Sequence, residues 1–255
     1  MRFTHLSPAL GLLVALICGT KPALAQRAGF ADGQQLVISA ERLTGFYVTS
    51  GSTELDGTIG TALQAPYSFD SDDSSTRLTF LGGGLPGEPA SFPRLGVDFF
   101  IIKNVSAGGS FSYASRSDES DIQTQAGPIG GSSVEDESST LLSLNLRGGY
   151  GLMFSELLGL WGRGGVNYTS FTQELDSVDG DDSDRIELDA TLFALALDAQ
   201  LILSPFDHLA FTVGPQLDIP LSGSVDVSNT ELATTIDGDL SILTFGVSAG
   251  MLVWF

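Results

Sequence analysis

The sequence predicts an all-β protein, an antiparallel up-and-down β-barrel that crosses a membrane with its apolar faces outward. Three observations point there: apolar residues recur with a period of two, long acidic connections alternate with short ones, and the faces opposite the apolar rows are small and polar. Alternation of that period marks strands whose two faces meet different surroundings.

Residues 1–25 stand apart from this pattern. Arg2 precedes an apolar run over residues 9–18, and Ala23, Leu24 and Ala25 precede Gln26, the arrangement of a cleaved secretory signal peptide. The run has about ten residues, half the roughly 20 that a spanning helix needs. Cys18, the only cysteine, lies within it behind Ile17 rather than a small residue, so neither lipidation nor a mature disulfide is expected. Residues 26–255 are expected to form one barrel domain. Without Arg2 and Lys21 the chain carries 9 basic against 31 acidic side chains, a net charge of −22 that repels nucleic acid. So acidic a composition could signal disorder, but 16 phenylalanines and 31 glycines in patterned segments argue for a folded β protein.

The expected strands cover roughly residues 36–49, 92–102, 105–115, 141–154, 160–171, 186–203, 209–220 and 240–255. Each is at least as long as the roughly 9 to 11 residues with which a tilted strand crosses the hydrocarbon. The count is 8 strands, with 10 as the alternative if the strand-like residues 77–83 do more than extend a neighbour. Loops expected at 50–75, 117–139, 174–189 and 221–239 hold 23 of the 31 acidic residues. The other connections, at 103–104, 155–159 and 204–208, are short and rich in turn formers. One end of the barrel is therefore decorated with long extracellular loops and the other trimmed to periplasmic turns, and an even count puts both termini at the trimmed end.

The last strand shows the alternation most clearly. Leu243, Phe245, Val247, Ala249, Met251, Val253 and Phe255 share one face, and Thr244, Gly246, Ser248 and Gly250 the other. Leu142, Leu144 and Leu146 stand against Ser143, Asn145 and Arg147 in the same way. A secreted soluble barrel or sandwich binding an apolar ligand would show the same alternation with its apolar face inside. Orientation is argued from the polar faces, which carry Gly, Ser, Thr and Asn instead of the Lys and Glu of a solvated sheet; Lys103 is the only lysine after residue 25. Two strands resist simple phasing. The first does so around Glu41 and Arg42; in the sixth, polar residues are odd-numbered at Glu187, Asp189 and Thr191 but even-numbered at Asp198 and Gln200. A β-bulge near residues 193–197 would reconcile the sixth.

The chain stops at Phe255 with Val253 and Met251 at alternate positions before it, and here it resembles the C-terminal strand of bacterial outer-membrane β-barrels. The resemblance covers that strand closely and the remainder in layout, and the size is similar to that of the eight-stranded, outer membrane protein A-like and porin-like barrels. It implies export to the cell outer membrane, contact with outer-membrane lipid and lipopolysaccharide, and recognition of Phe255, Val253 and Met251 by the barrel-assembly machinery. Leu252 and Trp254 depart from a polar inner face, as residues at a rim would.

On the inner faces Arg94, Asp98, Arg147, Arg163 and Asp218 form an expected lumen charge network, with Asp198 and Glu41 on the two unphased strands. An eight-stranded barrel is just wide enough for side chains to fill, so these charges are expected to pair, as a plug or as the gate of a narrow pore. Asp176, Asp179, Asp181, Asp182 and Asp184 are weak metal candidates, because they lack the spacing and final glutamate of a calcium loop. No cofactor is expected. Tyr47, Phe80, Phe92, Tyr113, Phe154, Trp161, Tyr168, Phe171 and Phe206 fall near strand ends and read as interfacial girdles. His208, the only histidine after residue 25, falls in a short turn, and no nucleophile elbow, zinc spacing or phosphate loop accompanies it, so catalysis is not expected. The expected function is a structural or surface-interaction scaffold that shows its acidic loops to an extracellular partner the sequence does not name. A narrow porin-like channel for small solutes is the alternative.

Overall fold

The computed structural model describes residues 29–59, 65–80, 92–123, 132–179, 182–229 and 234–255. The expected export signal and cleavage site, and Asp181, lie outside them, as do the side chains of Asp176, Asp179, Asp182 and Asp184. Among the described residues every element is a strand: β1 (Gln35–Ile59), β2 (Ala65–Phe80), β3 (Arg94–Ile102), β4 (Val105–Gln123), β5 (Ser132–Met153), β6 (Leu158–Asp179), β7 (Asp182–Phe206), β8 (Leu209–Asn229) and β9 (Thr234–Trp254). All pair antiparallel, and β1 meets β9 from Val37 opposite Trp254 to Gly57 opposite Ile236, which closes the ring.

Nine strands fill eight positions. Residues 44–59 of β1 pair with β2, and residues 35–41 of the same edge pair with β3, so β2 and β3 run in one direction along one stave. Residues 77–80 thus belong to a strand of their own without widening the barrel. The sequence between β2 and β3 is crowded with Gly82, Gly83, Gly84, Pro86, Gly87, Pro89 and Pro93, and proline cannot donate to a ladder.

The connections expected as long loops are largely strand. Pairing continues to Ile59 opposite Ala65, Gln123 opposite Ser132, Asp179 opposite Asp182 and Asn229 opposite Thr234. Acidity reported that these segments are solvated, and a two-stranded ribbon in water satisfies its backbone as fully as one in lipid. At the other end the turns are tight, with Asn104 and His208 in the left-handed region at φ 69° and 65°; Asn and His enter that region more readily than most residues.

The faces are inverted relative to a soluble protein. Along β5, Ser143, Asn145 and Arg147 are 1%, 5% and 8% exposed, whereas Leu144 and Leu146 between them are 46% and 77% exposed. The soluble alternative, which needs those leucines inside, is overturned. Outward residues change from apolar to polar at one level: Tyr113 to Ser115, Leu142 to Thr140, Tyr168 to Ser170, Phe193 to Thr191, Leu243 to Ser241. That line is the outer edge of the apolar band. From Leu243 to Phe255 a strand tilted by about 40° rises roughly 30 Å, the thickness of a bilayer core. Of the expected girdle, Phe80, Tyr113, Phe154 and Phe206 face outward, but Tyr47 and Trp161 are buried at 1% and 0%, Phe92 is buried, and Phe171 shares the inward face of Thr169. Nearness to a strand end does not decide which side a ring takes; parity does.

The two unphased strands resolve differently. Against β8, β7 shifts register between Phe193 and Ala194, but the extra residue is Leu221 of β8, and Leu192, Ala194, Ala196, Gln200 and Ile202 keep one inward phase. Asp189 and Thr191 face outward because they stand above the apolar band. In β1 the register against β9 slips between Ala40 and Thr44, where four steps meet two on β9, and Arg42 takes φ 56°. This bulge turns both Glu41 and Arg42 toward the lumen.

Candidate functional site in the lumen

The interior is filled in two layers. At the short-turn end Phe30 enters ahead of β1 and packs edge-on against Phe100, Trp161 and Trp254, with centroids 5.2, 5.4 and 5.7 Å away. Val37, Ile202, Ala210 and Leu252 complete this apolar plug. Leu252 and Trp254 are therefore buried components of a seal, and the Trp161 indole N–H donates to Ser106 Oγ at 3.2 Å.

Above the plug lies a layer of charge. Arg147 donates to both oxygens of Glu41, at 2.8 and 2.7 Å, and to both of Asp98, at 3.0 and 2.5 Å. Arg163 donates to Glu41 at 2.5 Å and to Asp198 at 2.7 Å, and its guanidinium lies 4.4 Å over the Trp161 ring, a cation–π contact that ties charge layer to plug. Ser39 donates to Glu41 at 2.7 Å. Across the lumen Arg42 pairs with Asp218 at 3.1 Å. In the orientation that satisfies its amide, Asn167 accepts from Arg94 at 3.2 Å. Such forked pairs gain from Arg geometry, while any partner left alone in this environment would cost several kcal/mol.

The structure places Arg94, Asp98, Arg147, Arg163 and Asp218 inside and buried, and brings Glu41 and Asp198 to them. Sequence reasoning misses Arg42, Ser39 and Phe30 as lumen residues. The phase break at Glu41 and Arg42 was the available signal, since a double bulge is one way to send two adjacent residues inward. Gly96 also belongs here: a Cβ at that position would collide with Ser39 Oγ and lie 2.6 Å from Arg147 and 2.8 Å from Glu41. His208 caps the short end, where its Nδ1 lies 2.9 Å from the Trp254 carbonyl oxygen. Among the described residues no group of three or more His, Cys, Asp or Glu could hold a metal ion.

A closed antiparallel ring with apolar residues outside, charges paired inside, long hairpins at one end and tight turns at the other is a transmembrane β-barrel of the outer-membrane class. No protein-family model matches the chain, and no curated protein does. Among solved structures it is similar to the outer membrane protein OprG from Pseudomonas aeruginosa, at 14% identity over 88% of this chain and 97% of that one, with a TM-score of 0.47. It is also similar to outer membrane protein AlkL in lipid bilayers (17% identity, 92% and 96% covered, TM-score 0.42) and to the outer membrane protease OmpT from Escherichia coli (12%, 90% and 99%, 0.39).

Proposed function

We propose that the protein is a sealed outer-membrane scaffold: residues 1–25 direct export, the barrel anchors the chain among outer-membrane lipid, and the acidic hairpins that continue β1–β2 and β4–β9 form its working surface outside the cell. The observation that carries this reading is the double closure of the lumen, by the Phe30–Trp161–Trp254 plug and by the Arg–carboxylate layer above it. Filling at both levels supports a closed lumen, and it favours the scaffold over the porin-like alternative. The charged groups of the lumen are paired with one another, Arg147 and Arg163 with Glu41, Asp98 and Asp198 and Arg42 with Asp218, which supports reading the scaffold as non-enzymatic. Purified protein in planar bilayers is expected to give a flat baseline; reproducible unitary current steps would overturn the proposal.

Met251 and Val253 of β9 and Phe255 just after it face outward, open to reading by the assembly machinery. Replacing Phe255 with alanine is expected to lower the amount of folded barrel in the outer-membrane fraction, and an unchanged amount would remove that assignment.

A further inference from the structure

Three buried polar atoms that line one cavity of the charge layer have no hydrogen-bond partner among the described residues, Arg94 Nε, Gln216 Nε2 and Asp218 Oδ1; the Tyr47 hydroxyl, also without one, does not line that cavity. Arg94, Gln216 and Asp218 are 5%, 4% and 6% exposed. The other ends of these side chains are engaged, Asp218 Oδ2 with Arg42 and Gln216 Oε1 with Ser248 Oγ at 3.2 Å. All three residues line one small cavity in the lumen, walled by β1, β3 and β5–β9, which offers about 20 Å³ to the centre of a water molecule. A cavity needs roughly 10–15 Å³ by that measure to hold one water, and a buried water usually makes about three hydrogen bonds.

We infer that this cavity is a binding site for a single structural water, which accepts from Arg94 Nε–H and Gln216 Nε2–H and donates to Asp218 Oδ1. Two donors and one acceptor match the valence of water. They match an anion poorly, because the carboxylate would face it. Charge agrees: within this layer Arg42, Arg94, Arg147 and Arg163 are balanced by Glu41, Asp98, Asp198 and Asp218, so no ion is required. The water joins the Arg42–Asp218 pair of β1 and β8 to Arg94 of β3, and so ties the β1–β3 side of the lumen to β8. This inference is independent of the scaffold reading, since a conducting barrel would refute that reading and leave this site intact.

The test is a crystal structure of the full barrel in detergent, from crystals grown in bromide at a resolution that shows ordered solvent. An oxygen-sized peak within hydrogen-bonding reach of all three atoms, without anomalous signal, is the expected result. Anomalous bromide density there would mean an anion site, and an empty cavity would overturn the inference. Urea unfolding in micelles gives a second readout. Ser248→Ala measures the loss of its own bond to Gln216, and Gln216→Leu is expected to lower the midpoint further than Ser248→Ala does. A fall no larger than that of Ser248→Ala, or a rise, would mean that Gln216 Nε2 was an unsatisfied group whose removal costs nothing, and the water would be refuted.

Discussion

Arg147 is the residue on which the charge layer turns, because it bridges Glu41 on β1 and Asp98 on β3 through four hydrogen bonds. Arg147→Met keeps the length of the side chain but leaves two carboxylates short of their partner. Breaking a buried pair from one side typically costs about 3–5 kcal/mol; a loss of that order in urea unfolding is expected, and a change below about 1 kcal/mol would be what an exposed pair gives. A second residue-scale effect lies outside the membrane. A hydrogen bond shared with Asp237, then slight desolvation and the repulsion of Asp237 and Asp189, hold the Asp226 carboxyl above its ordinary value. The folded state therefore favours its protonated form. That contribution is present below the ordinary carboxylate value and is lost as pH rises through the raised one. The β8–β9 hairpin is expected to be held more firmly under mildly acidic than neutral conditions, and Asp226→Asn should flatten that dependence when protease resistance of the hairpin is followed against pH. An unchanged profile in the variant would refute the assignment.

At the scale of elements, turns and bulges carry the information that strands do not. The β3–β4 turn places Asn104 at φ 69° while its N–H donates to the Ala31 carbonyl at 2.9 Å and its own carbonyl accepts from Gly151 at 2.8 Å. A β-branched residue in the left-handed region costs about 1–2 kcal/mol. Asn104→Val should lower the unfolding midpoint accordingly, while Asn104→Gly should leave it nearly unchanged; equal effects would show that the turn tolerates any residue. The bulge in β1 has the opposite character. It was visible only as a break in period, yet it delivers Glu41 and Arg42 to separate ion pairs on opposite sides of the lumen. The acidic segments were readable as solvated but not as strand, because Ser, Asp and Gly composition describes what a surface meets and not whether its backbone is paired.

For the whole molecule, the two seals act in series. Trp161→Ala should cost stability of about 3–5 kcal/mol, as large core truncations do, yet the barrel should remain shut, because the Arg147 and Arg163 pairs close the level above. Conductance recordings of the variant decide this: current steps appearing on loss of the aromatic plug alone would show that the charge layer does not seal. A band that shifts on boiling in a semi-native gel would report the folded barrel in both proteins and separate loss of sealing from loss of fold.

The sequence by itself determined the class of fold, the eight positions of the wall, the inward placement of Arg94, Asp98, Arg147, Arg163 and Asp218, and the end at which the turns are tight. Each of these follows from a period of two and from where charge is absent, properties of a strand that hold whatever its neighbours are. The tertiary structure alone decided which charges meet, that β2 and β3 share a stave, that Phe30 corks the lumen, and that the acidic segments continue as strand. Those outcomes depend on register between strands far apart in sequence, and register is fixed by bulges and closure of the ring, which leave only a faint trace in the local pattern.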